Sequence, residues 1–217
     1  MRGEGGTLGS GSYVSLAVEN VPYDRSAERQ SRIGSTLARR QPGLVVVLEN
    51  VHDPHNIGAI LRSCDAVGVM RVLMLYTIEE PPNIKATPSA SGVVKWLEFE
   101  RFTSVKNCYE SLRGDGFQIL ATKIEPAART IFSFDLTRPT AIVVGNEHRG
   151  ISDEAAAHAD HLVYIPMMGM AESVNVSVAS AICLFEAMRQ RLSKGMYDAV
   201  QLTQEQLSNF NAEWSRK

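Results

Sequence analysis

Short apolar runs alternate with amphipathic segments over most of the chain, and this alternation predicts its elements. Runs rich in Val, Ile and Leu predict strands, whereas apolar residues at helical spacing predict helices. The predicted strands are 44–48, 72–76, 117–122, 141–145 and 162–165, and the predicted helices are 26–40, 56–67, 104–112, 152–159, 174–192 and 203–214.

The predicted strands are continuously apolar rather than alternating, which indicates burial on both faces. We therefore predict an α/β fold, a mostly parallel sheet between helices, in residues 44–195. A basic helical extension is expected at 25–43, and a helical C-terminal extension is expected at 196–217. Trp214 in this second extension needs a surface to cover. Residues 1–24, rich in Gly and Ser, are expected to be a disordered leader.

The composition suits one globular domain with short extensions. The chain has 217 residues, of which 44% are apolar, and no uncharged stretch reaches the roughly 18 residues that a membrane helix needs. Scattered cysteines without an export signal favour a reducing compartment, so the cytoplasm is expected. The net charge of −2 argues against a protein that coats nucleic acid through its overall positive charge. Arginines nevertheless cluster near the start of the chain, and their side chains suit phosphates.

Three loops that follow predicted strands carry the candidate chemistry, and residues 49–58 form the first. Asn56 is placed to cap the next helix. Arg62 points away from the apolar stripe of that helix, either as an ordinary solvated side chain or as a clamp for an anion. His52 and His55 invite a metal interpretation, but no third ligand has a suitable spacing, so no metal is expected.

The second loop, residues 145–150, leaves an apolar strand and enters a short helix that Ser152 is expected to cap. Glu147 is the only acid in the turn, and it either bonds loop amides or orients a partner at the site. Gly145 would let a ligand approach the backbone closely. The glycine spacing is weak evidence for a nucleotide loop, since neither the dinucleotide fingerprint nor a Walker lysine is present.

The third loop, residues 165–175, is the most informative. Ser173 and Asn175 lead into a helix that carries no charge as far as Phe185. Neutral polar side chains at a strand-to-helix junction suit an uncharged ligand edge, such as adenine, rather than a metal. The loop methionines are either core filler or a soft apolar wall around a flat ring. The helix itself is expected to be buried by the core, or by the core and a second subunit.

Together the three loops resemble motifs one, two and three of the SpoU/TrmH family. This family comprises the S-adenosylmethionine-dependent RNA ribose 2′-O-methyltransferases of the SPOUT superfamily. The matching segments are NIGAILRSCDAVG at 56–68, GNEHRG at 145–150 and IPMMGMAESVNVSVA at 165–179, within a similarity that runs from about 27 to 197. Within the family, the chain is most similar to members that methylate guanosine 18 in the D-loop of tRNA.

The resemblance implies a C-terminal trefoil knot, an obligate homodimer, S-adenosyl-L-methionine as cofactor and tRNA as substrate. It also implies three sets of site residues. The catalytic set is Asn56, Arg62, Glu147, Ser173 and Asn175; the cofactor-binding set is Thr122, Gly145, Ile165, Met167, Gly169 and Val174; the RNA-binding set is Arg40, His55, Arg189 and Arg191. We expect Arg62 to hold a phosphate and stabilise the developing alkoxide, because a guanidinium is a poor base at neutral pH.

Three alternatives stay open at this stage. A ribosomal RNA 2′-O-methyltransferase of the same family is the nearest, but such relatives commonly carry an N-terminal RNA-binding domain, and 43 residues precede the first predicted strand here. A non-catalytic RNA-binding factor on the same fold is disfavoured by the complete catalytic set. A nicotinamide dehydrogenase would fit the alternation of elements, but the glycine fingerprint is missing.

Overall fold

A computed structural model describes residues 25–78, 80–84 and 92–217. The leader at 1–24 and part of the Pro-rich segment at 85–91 lie outside the described residues. The helices are α1 (Arg25–Leu37), α2 (Pro54–Ala66), α3 (Val105–Gly114), α4 (Asp153–His158), α5 (Val176–Ser193) and α6 (Gln204–Trp214). The strands are β1 (Leu44–Glu49), β2 (Arg71–Leu75), β3 (Glu98–Phe102), β4 (Gln118–Thr122), β5 (Arg129–Thr130), β6 (Thr140–Val144) and β7 (His161–Tyr164).

The described strands form one sheet in the order β3-β2-β1-β6-β4-β7-β5. Every pairing between neighbours is parallel, so the predicted parallel sheet is confirmed. The sequence did not predict β3 or β5, the two edge strands. β3 carries Glu98, Glu100 and Arg101 on its exposed edge, and β5 has only two residues, so neither shows an apolar run.

Helices cover both faces of the sheet, which explains the continuous apolar strands. Along β1, Leu44, Val46 and Leu48 belong to one core with residues of α2 and α5. Val45 and Val47 belong to the opposite core, with residues of α3 and α4. The chain is therefore an α/β/α sandwich, and successive strand residues stabilise different layers.

The terminal helices form a smaller cluster of their own. Ile33 and Leu37 of α1 pack with Trp214 of α6, which is 2% exposed. The Trp214 ring lies 4.9 Å from the Trp96 ring, and the Arg40 guanidinium lies 5.0 Å above it. This is the surface that Trp214 was expected to need. None of the described helices combines the length and the apolar character required to cross a membrane.

Two helices begin two residues from their predicted starts, and both differences affect the site. Asp53, not Asn56, caps α2, because Pro54 suits the first helical position and the Asp53 side chain accepts from the His55 amide at 2.8 Å. The predicted N-cap at Asn56 is therefore wrong, and its side chain is free for other contacts. Asn175 caps α5, so this helix starts two residues later than predicted.

Candidate active site

The sheet brings the three loops to one edge. In a parallel sheet the carboxyl ends of the strands lie together, and this edge is where ligands bind in open α/β folds. β1 and β6 are neighbours, and β4 lies between β6 and β7. The loops that follow β1, β6 and β7 are residues 50–53, 145–152 and 165–175. Their polar side chains meet there.

A chain of side-chain hydrogen bonds connects all three loops. The Asn56 amide nitrogen donates to Glu147 Oε1 at 3.1 Å, which joins the first loop to the second. The Asn175 amide nitrogen donates to Asn56 Oδ1 at 3.0 Å, which joins the third loop to the first. Asn175 Oδ1 in turn accepts from the Ser177 amide at 2.8 Å and so fixes the start of α5.

Glu147 is the centre of this network. Its carboxylate also accepts from the backbone amides of His52, at 3.2 Å, and Asp53, at 3.0 Å. Burial would raise the pKa of Glu147, but the hydrogen bonds from Asn56 and the loop amides outweigh it and hold the pKa below its usual value. Glu147 therefore stays ionised near neutral pH. Both sequence interpretations of Glu147 apply, since it bonds loop amides and orients Asn56.

A cavity of about 440 Å³ lies beside this network. Five of the six predicted cofactor-binding residues line the cavity: Thr122, Gly145, Ile165, Met167 and Val174. The sixth, Gly169, does not. Glu147 and Ser173 from the catalytic set line it as well. Met168 and Met170 are 93% and 100% exposed, so of the three loop methionines only Met167 contributes to the apolar wall of the cavity.

Gly145 is needed for a reason that the sequence did not reveal. A Cβ atom there would lie 2.2 Å from the backbone of Gly150 and Ile151, so the loop closes tightly on itself. Asn146 and Gly150 exchange two backbone hydrogen bonds across this turn, at 3.0 and 2.8 Å. The close approach at Gly145 is therefore made by its own loop, and residues 145–151 of this loop line the cavity.

A second cleft, of about 470 Å³, shares the Glu147 loop with the cavity. His52, Asn56 and Asn175 line this cleft, and Val174 lines both spaces. Two adjacent spaces separated by a fixed carboxylate and neutral amides can hold two reactants side by side. Holding reactants in this way is a large source of catalysis.

Arg62 stands apart from the other members of the catalytic set. It lies two turns beyond Asn56 on α2, and its side chain is exposed. It lines neither the cavity nor the cleft of this chain. One copy of the described residues thus brings together Asn56, Glu147, Ser173 and Asn175, but leaves Arg62 outside.

The predicted RNA-binding set divides into two surface residues and two buried ones. Arg40 and Arg191 are each 1% exposed, so the expectation that they contact RNA is not supported. Arg40 pairs with Asp65 at 2.6 Å and donates to the Val69 carbonyl. Arg191 donates to four internal acceptors: the carbonyls of Gly43, Leu136 and Arg138 and the Gln41 side chain.

His55 and Arg189 are exposed and remain available to a partner. Arg189 makes a bidentate pair with Glu186 one turn earlier on α5, with both bonds at 2.8 Å. The Arg189 side chain is 66% exposed, so a phosphate could approach it and compete with Glu186. No group of three His, Cys, Asp or Glu side chains that could hold a metal ion occurs in the described part of the chain.

The architecture is that of SpoU methyltransferases, as solved structures show. The A. aeolicus TrmH/SpoU tRNA modifying enzyme superposes with a TM-score of 0.80 at 36% identity, covering 88% of this chain and 96% of that one. The SpoU methyltransferase AviRb from Streptomyces viridochromogenes, in complex with AdoMet, gives a TM-score of 0.61 at 33% identity. It covers 69% of this chain and 60% of AviRb.

Sequence comparison identifies the family. The family described as SpoU rRNA Methylase matches residues 43–185, and the chain belongs to this family. A tRNA (guanosine(18)-2′-O)-methyltransferase of Thermus thermophilus is 43% identical over 194 residues, which is 89% of this chain and 99% of that protein. The resemblance inferred from the three motifs is thereby confirmed.

Sequence reasoning missed two residues of the site region, Asn50 and Asn146. Both are buried, and a hydrogen bond of 2.9 Å from the Asn146 amide nitrogen to the Asn50 carbonyl joins the first two loops. The available signal was the residue type, since Asn is the residue other than Gly that best tolerates left-handed turns, and Asn50 has φ of 51°.

Proposed function

We propose that this protein transfers a methyl group from S-adenosyl-L-methionine to a ribose 2′-hydroxyl of RNA, and that the acceptor is guanosine 18 of tRNA. The observation that carries the proposal is the hydrogen-bonded chain of Glu147, Asn56 and Asn175 beside the cavity. Membership of the SpoU family supports the reaction. The Thermus relative, matched over nearly its whole length, supports tRNA as the substrate.

The cavity residues fit the cofactor. Ile165, Met167 and Val174 supply apolar surface for a flat ring, and the tight turn at Gly145 presents backbone groups to the same space. The Thr122 hydroxyl is already bonded to the Val143 carbonyl, at 3.0 Å, so Thr122 would contribute shape and its backbone. When bound, S-adenosylmethionine supplies an electrophilic methyl group.

The network of Asn56, Asn175 and Glu147 places the ribose and its 2′-hydroxyl in this proposal. Asn56 and Asn175 are held in one orientation by each other and by Glu147, so they can direct a hydroxyl without rearranging. Glu147, with its pKa lowered, serves as a fixed acceptor for loop amides and not as a proton donor. Orientation of this kind can contribute about 7–11 kcal/mol to a reaction between two bound partners.

The exposed face of α5 supports a homodimer. Val178, Phe185 and Leu192 are 46%, 45% and 52% exposed, although the opposite face of the same helix is fully buried. Apolar side chains this exposed on one helix face are typical of an interface. A second copy packed on this face would also explain why Arg62 lies outside the site, because the pocket of one copy can be completed by Arg62 of the other.

Three further features follow from family membership. We propose, from family membership, that the C-terminal half forms the trefoil knot expected of SPOUT proteins. We propose that 44–195 is the methyltransferase domain, extended by the paired helices α1 and α6. We also propose that the protein acts in the cytoplasm, where tRNA functions.

The test is methyl transfer to matched RNA transcripts. Unmodified tRNA is expected to accept one methyl group, and a tRNA with 2′-deoxyguanosine at position 18 is expected to accept none. Preferential methylation of ribosomal RNA transcripts would overturn tRNA as the substrate. Equilibrium dialysis with S-adenosylmethionine separates enzyme from pseudo-enzyme, because a non-catalytic RNA-binding factor would not bind the cofactor.

A further inference from the structure

Two buried asparagines beneath the site, Asn50 and Asn146, have no role in the function proposed above. Asn50 directly follows β1 and is 3% exposed, and Asn146 lies two residues after β6 and is 7% exposed. We call this pair the asparagine brace. Among the described residues, Asn50 is the only one other than glycine that has a positive φ, at 51°.

The Asn50 side chain ties the first loop to the end of β2. Its Oδ1 accepts from the amides of Thr77, at 3.0 Å, and Ile78, at 3.3 Å, while its amide nitrogen donates to the Thr77 hydroxyl at 3.2 Å. Asn tolerates a left-handed backbone better than other residues except Gly, but the conformation still costs free energy, and surrounding contacts are needed to hold it. The three bonds to residues 77 and 78 supply those contacts.

The Asn146 side chain ties the second loop to the first and also shapes its own turn. Its amide nitrogen donates to the Asn50 carbonyl at 2.9 Å. Its Oδ1 accepts from the amides of His148, at 3.0 Å, and Arg149, at 3.2 Å. Although Asn146 borders the cavity, both ends of its amide are therefore engaged within the protein.

Glu147 lies directly between these two sets of bonds. The asparagine brace fixes the turn that carries Glu147. The Glu147 carboxylate in turn accepts from the His52 and Asp53 amides and from the Asn56 side chain. We propose that Asn50 and Asn146 are positioning residues that act through Glu147, and through it on Asn56, in the methyl transfer proposed above. The inference rests on that proposed function.

The expected effect is on turnover and less on binding. Asn146→Ala leaves the Asn50 carbonyl and the two loop amides without their partner, so the turn loosens. A displacement of about 1 Å at a positioned group can cost roughly 100-fold in rate, so we expect kcat to fall by about 10- to 100-fold. The KM for S-adenosylmethionine should change by a smaller factor than kcat, because the cavity walls from β4 and the third loop are untouched and only the wall from residues 145–151 is loosened.

Asn50→Gly is the milder second variant. Glycine accepts the left-handed backbone, so this change removes only the side chain and its bonds to residues 77 and 78. We expect a loss of kcat in the same direction but smaller, about 3- to 10-fold, since the Asn146 bond to the backbone carbonyl survives. If Asn146→Ala fails to fold, Asn50→Gly still tests the proposal.

Gln41→Ala is the matched control. Gln41 is another fully buried amide that joins loops, accepting from Arg191 at 3.1 Å and donating to the Met196 carbonyl at 3.2 Å, yet it lines neither the cavity nor the cleft. Its loss should lower Tm and leave kcat unchanged. Kinetics are compared at a temperature at which all variants are folded.

Amide hydrogen exchange of residues 147–150 gives a readout independent of activity. Exchange should accelerate in Asn146→Ala and stay as in wild type in Gln41→Ala. Brace variants that match Gln41→Ala in kcat, or that leave this exchange unchanged, would overturn the proposal. A wild-type protein that methylates no RNA would refute the proposed function instead, and the exchange measurement would still decide whether the brace orders the turn.

Discussion

Replacing Asn56 with alanine removes the link that joins all three loops. The Asn56 side chain is 9% exposed and makes one hydrogen bond to the Glu147 carboxylate, at 3.1 Å, and one from Asn175, at 3.0 Å. A hydrogen bond to a charged group contributes about 1.5–3 kcal/mol and a neutral one about 0.5–1.5 kcal/mol. Because Asn175 is exposed and can bind water instead, we expect a loss of about 2–3 kcal/mol in unfolding free energy.

The effect on turnover should exceed the effect on stability. Without Asn56, the Asn175 side chain loses its bond to the first loop region, and Glu147 keeps only the bonds from the His52 and Asp53 amides. Loosened positioning of about 1 Å corresponds to about a 100-fold loss of turnover. The pKa of Glu147 should also rise, because the Asn56 bond is the leading contribution that lowers it. Because the pKa of Glu147 is lower in the folded state, its carboxylate stabilises the fold at pH values above its unfolded-state pKa of about 4.3. This stabilisation is lost as the pH falls through the folded-state pKa.

Urea unfolding and single-turnover methylation of tRNA measure the two effects. The stability difference between Asn56→Ala and wild type should therefore narrow in acid, below about pH 4. Asn107→Ala is the control, since Asn107 is an exposed asparagine on α3, against the other face of the sheet. Turnover of Asn56→Ala within about 2-fold of this control, with equal stability, would refute the role given to the hydrogen-bonded chain.

Four further predictions address the remaining residues of the proposal. Arg62→Lys should react slowly with an unaltered dependence of rate on pH; efficient turnover with a new ionisation would show that residue 62 acts as the base. Phe185→Glu should convert a dimer into monomers in analytical ultracentrifugation and abolish turnover, whereas an unchanged dimer would exclude this face of α5. Arg189→Ala should remove about one phosphate contact with RNA without loss of stability. The slope of log binding constant against log salt concentration should therefore become less steep by roughly 0.7–0.9. Arg191→Ala should instead lower the unfolding free energy by more than about 3 kcal/mol, because four buried acceptors lose their donor, and the opposite pattern would restore Arg191 to the RNA surface.

The sequence was sufficient to predict the layers of the fold and the meeting of the three loops. Buried parallel strands have a distinctive apolar signature, and their carboxyl ends must share an edge. Asn56, Glu147 and Asn175 follow such strands, so their convergence could be predicted before any coordinates. The edge strands β3 and β5 lack the signature because one carries alternating charges and the other is two residues long.

The fates of individual polar side chains could not be predicted in the same way. Arg40 and Arg191 occur in a basic context typical of RNA contacts, but their acceptors come from segments up to 150 residues away. Asp53 displaced Asn56 as the helix cap because Pro54 fixes the first turn. The bond between Asn146 and the Asn50 carbonyl is likewise set by tertiary structure, so no local pattern marks it.

A crystal structure of the protein with S-adenosylhomocysteine bound tests the central claim most directly. The account predicts the ligand in the cavity lined by Gly145, Ile165 and Val174, with its sulfur towards Glu147 and the cleft beyond it. A ligand bound elsewhere, with this cavity empty, would contradict the convergence of the three loops on the methyl donor.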